Sequence, residues 1–354
     1  MKVAITADIH LKTNKEYPER FNALKNILDQ LLKERIKNLI IAGDLFDIES
    51  QNYSVFDELC REKKYSDINF YIIPGNHDWT IDSKYFTSAN IKIIKEPDFV
   101  TFEDAGPSFF FVPFLPGKSM GEIIAKYQKS LPSKWVLISH GDYLSGIRYP
   151  NTYESGRIYM ALGRSDIEYY NPSMAILGHI HKKMEIGKVN YTGSPCGMDI
   201  NEAGRRSFII LDASDLSITE KTVDTDYIFF NENLVVLPTS NEFDYVSNKI
   251  GGFIKKWNLS KSEISGVRIR LKVKGYTSDK KKLEMVLKES FSGFTFYNNE
   301  GPDLSEVSLF NDPDRISIVE RVKEKIDLLE ETDGYTQAKK DLVLEQALGV
   351  ILKE

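Results

Sequence analysis

Short apolar runs, each ending in polar residues of chemical interest, alternate with stretches of helical period through the first half of the chain. Residues 2–7 read as a buried strand that delivers Asp8-Ile9-His10 to its carboxyl end. Pro18 suits the first turn of a helix, and Phe21, Leu24, Leu28, Leu31 and Leu32 then recur at helical spacing. The run at residues 38–42 is again strand-like and ends in Gly43-Asp44-Leu45-Phe46-Asp47. A second helical segment near residues 55–63 leads to a third strand at residues 68–73, followed by Pro74-Gly75-Asn76-His77-Asp78. Residues 134–139 end in His140-Gly141-Asp142, and Met174-Ala175-Ile176-Leu177 runs into Gly178-His179-Ile180-His181. Five strands thus carry polar groups to their carboxyl ends, the edge at which open α/β sheets place their ligands.

Residues 99–102 with 109–112, and 207–212 with 217–223, pattern as hairpins and predict a second sheet face to face with the first. The composition changes near residues 224–238, which predicts one domain over residues 1–228, a second over 239–310 and a helical tail over 312–354. Within the second, residues 243–257 and 280–291 have helical period and residues 267–274 alternate strictly, as in a small α+β module. Asp312-Pro313 opens the tail, where Val319, Val322, Ile326 and Leu329, then Leu344, Leu348, Ile351 and Leu352, recur at helical spacing. Helices this short do not stand alone, so each stripe must lie on something larger, either the chain's own module or a partner. The expectation is a partner, reached by a chain end set off at Asp312-Pro313.

At 354 residues, 42% hydrophobic and 28% charged, the chain has the composition of a globular protein with room for two or three domains. No apolar run approaches the ~18 residues that span a bilayer. Residues 1–7 enter a strand directly, so a cytoplasmic protein without membrane attachment is expected. Cys60 and Cys196 are too few for a disulfide framework and lack thiolate-site spacing, so any metal must rest on nitrogen and oxygen ligands. The net charge of −6 argues against a globally basic nucleic-acid binder. Locally, however, Arg268, Arg270, Lys272 and Lys274 alternate with Val267, Ile269, Leu271 and Val273, and residues 245–290 hold twelve Lys or Arg against four acids. That balance predicts a surface that follows a phosphate backbone.

The chain has only five histidines, all placed just past strand-like runs. His179 and His181, one residue apart in an extended segment, point to opposite sides and can serve two different ions. Two divalent ions roughly 3.5–4 Å apart supply the nucleophile and absorb the charge that phosphodiester hydrolysis develops. A shared carboxylate must hold such a pair together, and Asp44 is the natural bridge. Asp8, His10 and one histidine of the pair would complete the first shell, with Asn76, His140 and the other histidine completing the second. Asp8 or Asp44 alone would pass for a turn residue, and Asp47 or Asp78 for a helix cap. Seven donors arriving in order at strand ends do not.

In that order, Asp8-x-His10, Gly43-Asp44-x-x-Asp47, Gly75-Asn76-His77-Asp78, His140 and Gly178-His179-x-His181 resemble the calcineurin-like metallophosphoesterases over residues 1–225. Within them the chain most resembles the SbcD-type nucleases of DNA double-strand-break repair, through Gly193-Ser194-Pro195, the strand after it, the small module and the tail. The resemblance implies an α/β two-sheet sandwich flanked by helices, a small α+β capping domain that presents DNA, and a helical C-terminal tail. It implies that Asp8, His10, Asp44 and His181 hold one divalent ion and Asp44, Asn76, His140 and His179 the other, with Mn²⁺ the family's usual metal. His77 would protonate or stabilise the leaving oxygen, oriented by Asp78, and Asp47 stands where many SbcD-type proteins have histidine. Lys182, Lys183, Arg205 and Arg206 would join Arg268, Arg270, Lys272 and Lys274 as phosphate contacts. The implied activity is exo- or endonucleolytic cutting of DNA, beside an SbcC-type coiled-coil ATPase bound through the C-terminal helices. A homodimer is compatible with the resemblance, as is association with the nucleoid. A phosphatase or cyclic-nucleotide phosphodiesterase acting on a small phosphoester would use the same ligands, and a non-catalytic scaffold is a third reading.

Overall fold

Runs of apolar residues too continuous for a one-sided strand fold here as strands covered on both faces. The structure, a computed structural model, describes residues 1–13, 16–47, 53–102, 106–146, 157–329 and 336–352. The chain divides into two units, Met1–Met198 with Arg205–Asp226, and Asp199–Gly204 with Tyr227–Glu354. The first begins β1 (Lys2–Thr6), α1 (Pro18–Glu34), β2 (Asn38–Ala42), α2 (Tyr53–Arg61), β3 (Asn69–Ile73) and β4 (Ile91–Ile93). It continues through β5 (Asp98–Thr101), β6 (Ser108–Val112), α3 (Met120–Tyr127), β7 (Trp135–His140), β8 (Tyr143–Leu144), β9 (Leu162–Gly163) and α4 (Arg164–Tyr170). It ends with β10 (Met174–Gly178), β11 (Met184–Ile186), β12 (Val189–Tyr191), β13 (Ser207–Asp212) and β14 (Ile218–Thr222). Two six-stranded sheets result, in the orders β14-β13-β1-β2-β3-β4 and β11-β12-β10-β7-β6-β5.

Alternation along each strand sorts its side chains between cores. Val3, Ile5, Ile40, Phe109, Phe111, Ile138, Ile176 and Ile209 meet between the two sheets. Their neighbours Leu39, Ile41 and Phe208 turn outward to Leu24 and Leu28 of α1 and Phe56 of α2. On the second sheet Phe110, Leu137 and Leu177 turn outward to Ile123 of α3 and Ile167 of α4. Each large side chain buried this way contributes about 1.5–3 kcal/mol, so the strand ends are anchored from both faces.

The expected α/β two-sheet sandwich is therefore present, with two differences in detail. The β13–β14 hairpin joins the first sheet, antiparallel to β1, and only β5–β6 belongs to the second. The five strands that carry chemistry are also split: β1, β2 and β3 are parallel neighbours in one sheet, β7 and β10 in the other. The site lies where the carboxyl ends of two facing sheets meet, not along the edge of one open sheet.

The second unit comprises β15 (Ile228–Val236), α5 (Glu242–Trp257), β16 (Val267–Thr277), α6 (Lys280–Ser290), β17 (Thr295–Phe296), β18 (Asp303–Leu309), α7 (Pro313–Asp327) and α8 (Gln337–Ile351). The stretch left between the two expected domains holds β15, which pairs in parallel with β16 along Ile228–Val236. The alternation read in β16 is real: Val267, Ile269, Leu271 and Val273 are buried against Val246 and Ile250 of α5 and Leu283 and Leu287 of α6. Among the described residues no helix is long and apolar enough to cross a membrane.

The stripes of the tail correct an expectation. Val319 and Ile326 of α7 and Leu344 and Leu348 of α8 are buried with Val235 and Leu237, on the chain's own second unit. The cause is β15 itself: Leu234 and Val236 face α5, so Val235 is apolar on the other face and needs a cover. Removing the chain from Asp312 onward would uncover that face. At roughly 1.5–3 kcal/mol per large buried residue, and roughly 2–4 °C per kcal/mol at this size, the truncated chain should melt at least about 5 °C lower. Unchanged melting in a thermal scan would show that the tail contributes nothing to this core.

Candidate metal centre

The loops after β1 and β2 stay paired beyond their strands, with Asp8 N–H donating to Gly43 O at 3.1 Å and His10 N–H to Asp44 O at 3.0 Å. Within them Asp8 (φ 54°), His10 (φ 49°) and Asp44 (φ 52°) all have left-handed backbone, as does His179 (φ 94°) after β10. Non-glycine residues rarely adopt it, at a cost of order 1–3 kcal/mol each, and such strain clusters at functional sites. The two-sided burial of β1, β2 and β10 is what holds these residues there.

Their side chains converge. His10 Nε2 lies 3.2 Å from His181 Nε2 and 3.7 Å from Asp44 Oδ2. His140 Nε2 lies 3.2 Å from Asp44 Oδ2 and 2.9 Å from Asn76 Oδ1, and the same amide oxygen is 3.1 Å from His179 Nδ1. His140 Nδ1–H donates to Ala42 O at 2.9 Å, which leaves Nε2 turned toward the cluster. Both oxygens of Asp8 accept from the His179 backbone N–H, at 2.9 and 3.1 Å. Three triads each bring their ligand atoms within 4.8 Å of one another: Asp8, His10 and His181; His10, Asp44 and His77; and Asp8, Asp44 and His140. Two buried carboxylates facing buried imidazoles and an amide oxygen, without sulfur, fit hard or borderline divalent cations.

Two glycines of the motifs exist because of these side chains. A Cβ on Gly43 (φ +92°) would stand 2.2 Å from His140 Nδ1, and one on Gly75 would stand 2.1 Å from Asp44 Oδ1.

Residues 1–183 match the calcineurin-like phosphoesterase family, which is over half of the chain. The chain belongs to that family. This calcineurin-like phosphoesterase is also similar to YhaO of Bacillus subtilis, described as an uncharacterized metallophosphoesterase, at 24% identity over 219 residues. That match covers 56% of this chain and 51% of YhaO, so the chain spans about half the length of its relative. Among solved structures it is similar to a novel archaeal phosphodiesterase, at 15% identity and a TM-score of 0.33, covering 63% of this chain and 100% of that one. A dimetal phosphatase from Danio rerio matches at 11% identity and a TM-score of 0.40, with 63% and 96% covered. Family members typically hold two divalent metals.

In this phosphoesterase the clustered charges shift one another. Burial pushes Asp8 up, against the pull of His140 and His181. It would push Asp44 up as well, but His140 and His10 outweigh it and hold that carboxyl far below its usual range. Burial alone would lower His140, yet Asp44 and Asp8 lift it to about 9, while burial holds His10 well below 6.5. Folded, metal-free protein therefore keeps a proton on His140 that an unfolded imidazole releases near 6.5. The stability this supplies is complete below 6.5 and is lost as pH rises through about 9. Asp78, raised to about 7 by burial and Asp44, has lost its corresponding contribution before that window ends. In chelator, the melting temperature should fall between pH 7 and 9. The loss should be on the order of 3 kcal/mol, since each tenfold difference in proton affinity between the folded and unfolded chain is worth ~1.4 kcal/mol. Added divalent metal, which requires neutral imidazole, should flatten that slope. An equal slope with and without metal would separate His140 from the centre.

The carboxylate behind His77 is not the one expected. Asp78 is fully buried, and its oxygens accept from the Gly75 and Phe46 backbone N–H groups at 2.7 and 3.1 Å. It fixes the turn that carries Asn76 and His77. Asp47 is the partner, with Oδ1 at 3.3 Å from His77 Nδ1. Burial would push Asp47 up, but His77, His10 and Lys12 hold it well below its usual range. Lys12 and Arg20, which the motifs did not mark, each come within 3.5 Å of Asp47 Oδ2, so this anion is compensated. Arg20 also donates to His10 O at 2.6 Å.

The expected phosphate contacts divide. Arg206 is buried and donates to His181 O, Ser194 O and Ser194 Oγ, so it holds the loop that carries His181. Arg205 and Lys182 are exposed, and Lys183 pairs with Glu220. In β16, Arg270 forks onto Glu300 at 2.7 and 3.1 Å, and Lys274 lies 3.2 Å from Glu306 and 3.6 Å from Glu345. Arg268 lies over the Tyr227 ring at 4.7 Å, and Lys272 is exposed. The stripe is thus less cationic than its own window suggests, because its counter-ions come from residues further along the chain.

Proposed function

We propose that this protein is a two-metal phosphodiesterase that cuts DNA, the nuclease subunit of an end-processing complex with an SbcC-type ATPase. The observation that carries hydrolysis is Asp44, shared by two of the donor triads and itself one of four strained, buried residues at strand ends. Asp8, His10, Asp44 and His181 would hold one ion and Asp44, Asn76, His140 and His179 the other, Mn²⁺ suiting such donors. When bound, the pair activates the attacking water and neutralises the phosphate. The chain's own residues then orient and protonate. His77, held through Nδ1 by Asp47, gives its proton to the leaving oxygen, and Arg20 and Lys12 keep Asp47 in place.

A polymeric substrate is supported by the second unit, which the hydrolytic site does not require and whose β16 presents Arg268 and Lys272. The partner surface moves to the outer faces of the tail, where Ile318 is 44%, Leu342 54% and Val350 82% exposed. Leu342→Asp with Val350→Asp should abolish co-purification with the ATPase without lowering the melting temperature. Incubating the purified chain with Mn²⁺ and linear, circular or single-stranded DNA, beside a generic phosphomonoester, tests the reading. DNA should be cut and the monoester hardly touched. The opposite ranking would make this a phosphatase of small molecules.

A further inference from the structure

Beside the metal-ligand cluster a cleft of about 680 Å³ opens, within the size range of ligand pockets. Resting on the phosphodiesterase reading, we infer that this cleft is a nucleobase subsite, which receives the base of the nucleotide next to the scissile phosphate. Its position follows from its lining: Asn76, whose oxygen faces His140 and His179, forms one wall. Tyr159 forms another, its ring 5.1 Å from that of His179. Whatever enters therefore lies beside the reacting phosphate.

The chemistry of the walls is that of a stacking platform. Trp79 follows directly on Asn76-His77-Asp78 and is 52% exposed, whereas Trp135 and Trp257 are 2% and 5% exposed. A large aromatic held in water at the mouth of a hydrolytic site offers a flat face to a partner that arrives with the substrate. Phe114 and the half-exposed Ile158 extend the apolar surface. Arg157 sits over the Tyr159 ring at 5.1 Å, and Lys118 is exposed on the same lining, so cations border the aromatic walls where a flanking phosphate would lie. Glu122, the acid on this lining, accepts from the Ser119 N–H in the capping box of α3 and is engaged there. Aromatic faces bordered by cations bind nucleotides by stacking and charge, without reading sequence.

The base can come from a DNA strand or from a small nucleotide, and binding to metal-free protein in chelator separates the two. A thymidine oligonucleotide should quench Trp79 emission, and an abasic oligomer of the same length should bind more weakly and quench little. Trp79→Ala should weaken binding of the base-bearing oligomer roughly 5- to 150-fold, the worth of one base–aromatic stack. Trp79→Phe should restore most of the affinity without the fluorescence signal. Equal affinity for base-bearing and abasic oligomers, with no quenching, overturns the subsite. Cleavage of DNA at the same rate with or without that base would leave the nuclease reading standing while the subsite fell. Thymidine monophosphate that bound and quenched as well as the oligomer would keep the subsite and overturn DNA as its source.

Discussion

Asp44→Asn should give a folded protein that holds neither ion and cleaves phosphodiesters more than about 10³-fold more slowly. The fold should survive because asparagine tolerates the left-handed backbone that Asp44 adopts at φ 52°. Its amide oxygen can still accept the His77 N–H, which Asp44 Oδ1 does at 2.9 Å. What disappears is the negative charge beside His140 Nε2, 3.2 Å away, and His10 Nε2, 3.7 Å away. A neutral amide cannot offset the repulsion between two divalent ions, so both should leave together. Losing a Lewis-acid pair forfeits several kcal/mol of transition-state stabilisation, and each 1.36 kcal/mol is about tenfold in rate. Elemental analysis of the dialysed variant checks the point. One ion retained at full occupancy would mean that another residue bridges.

That these polar side chains gather at one place was legible because each follows an apolar run, and such a run predicts both a strand and where its end lies. Asp8, Asp44, Asn76, His140, His179 and His181 needed only that logic and the family motifs to be found. What the runs do not disclose is which loop faces which across two sheets. Adjacency made Asp78 look like the partner of His77, yet Asp78 turns inward to the Gly75 and Phe46 N–H groups while Asp47 arrives from the loop after β2. Arg20 and Arg206 were unreadable for a related reason. An arginine on a helix or at a strand start looks solvated until the carbonyls of His10 and His181 are known to sit beside it.

The tail and the basic strand show a second limit. A stripe at helical spacing says that one face is apolar, but only the structure says that Val235 and Leu237 cover it. A local charge count around β16 missed Glu300, Glu306 and Glu345, because sheet pairing and helix packing supply counter-ions from elsewhere in the chain. Both errors took a segment's pattern for its environment. The candidate donors escaped that error because their neighbours are set by the ends of strands, which the pattern does specify.

On the proposed reading, His77→Ala should cut DNA about 10²- to 10⁴-fold more slowly while metal content stays the same, the range expected for one general acid. Its place supports this role: the imidazole is half-buried beside His10, with ring centroids 4.6 Å apart, and Nδ1 is occupied by Asp47. The loss should depend on the leaving group. An alkoxide departing from DNA needs a proton, whereas 4-nitrophenolate leaves without one, so hydrolysis of bis(4-nitrophenyl) phosphate should fall less than about tenfold. Asp47→Asn removes the carboxylate that orients the ring and should cost about 10- to 100-fold on DNA, as loss of an orienting partner typically does. Because the two act as one unit, the double variant should be no slower than His77→Ala alone. His77 is also one of the three members of a donor triad with His10 and Asp44. If His77→Ala lost metal, and lost activity equally on both substrates, the residue would be a ligand and the leaving oxygen would take its proton from elsewhere.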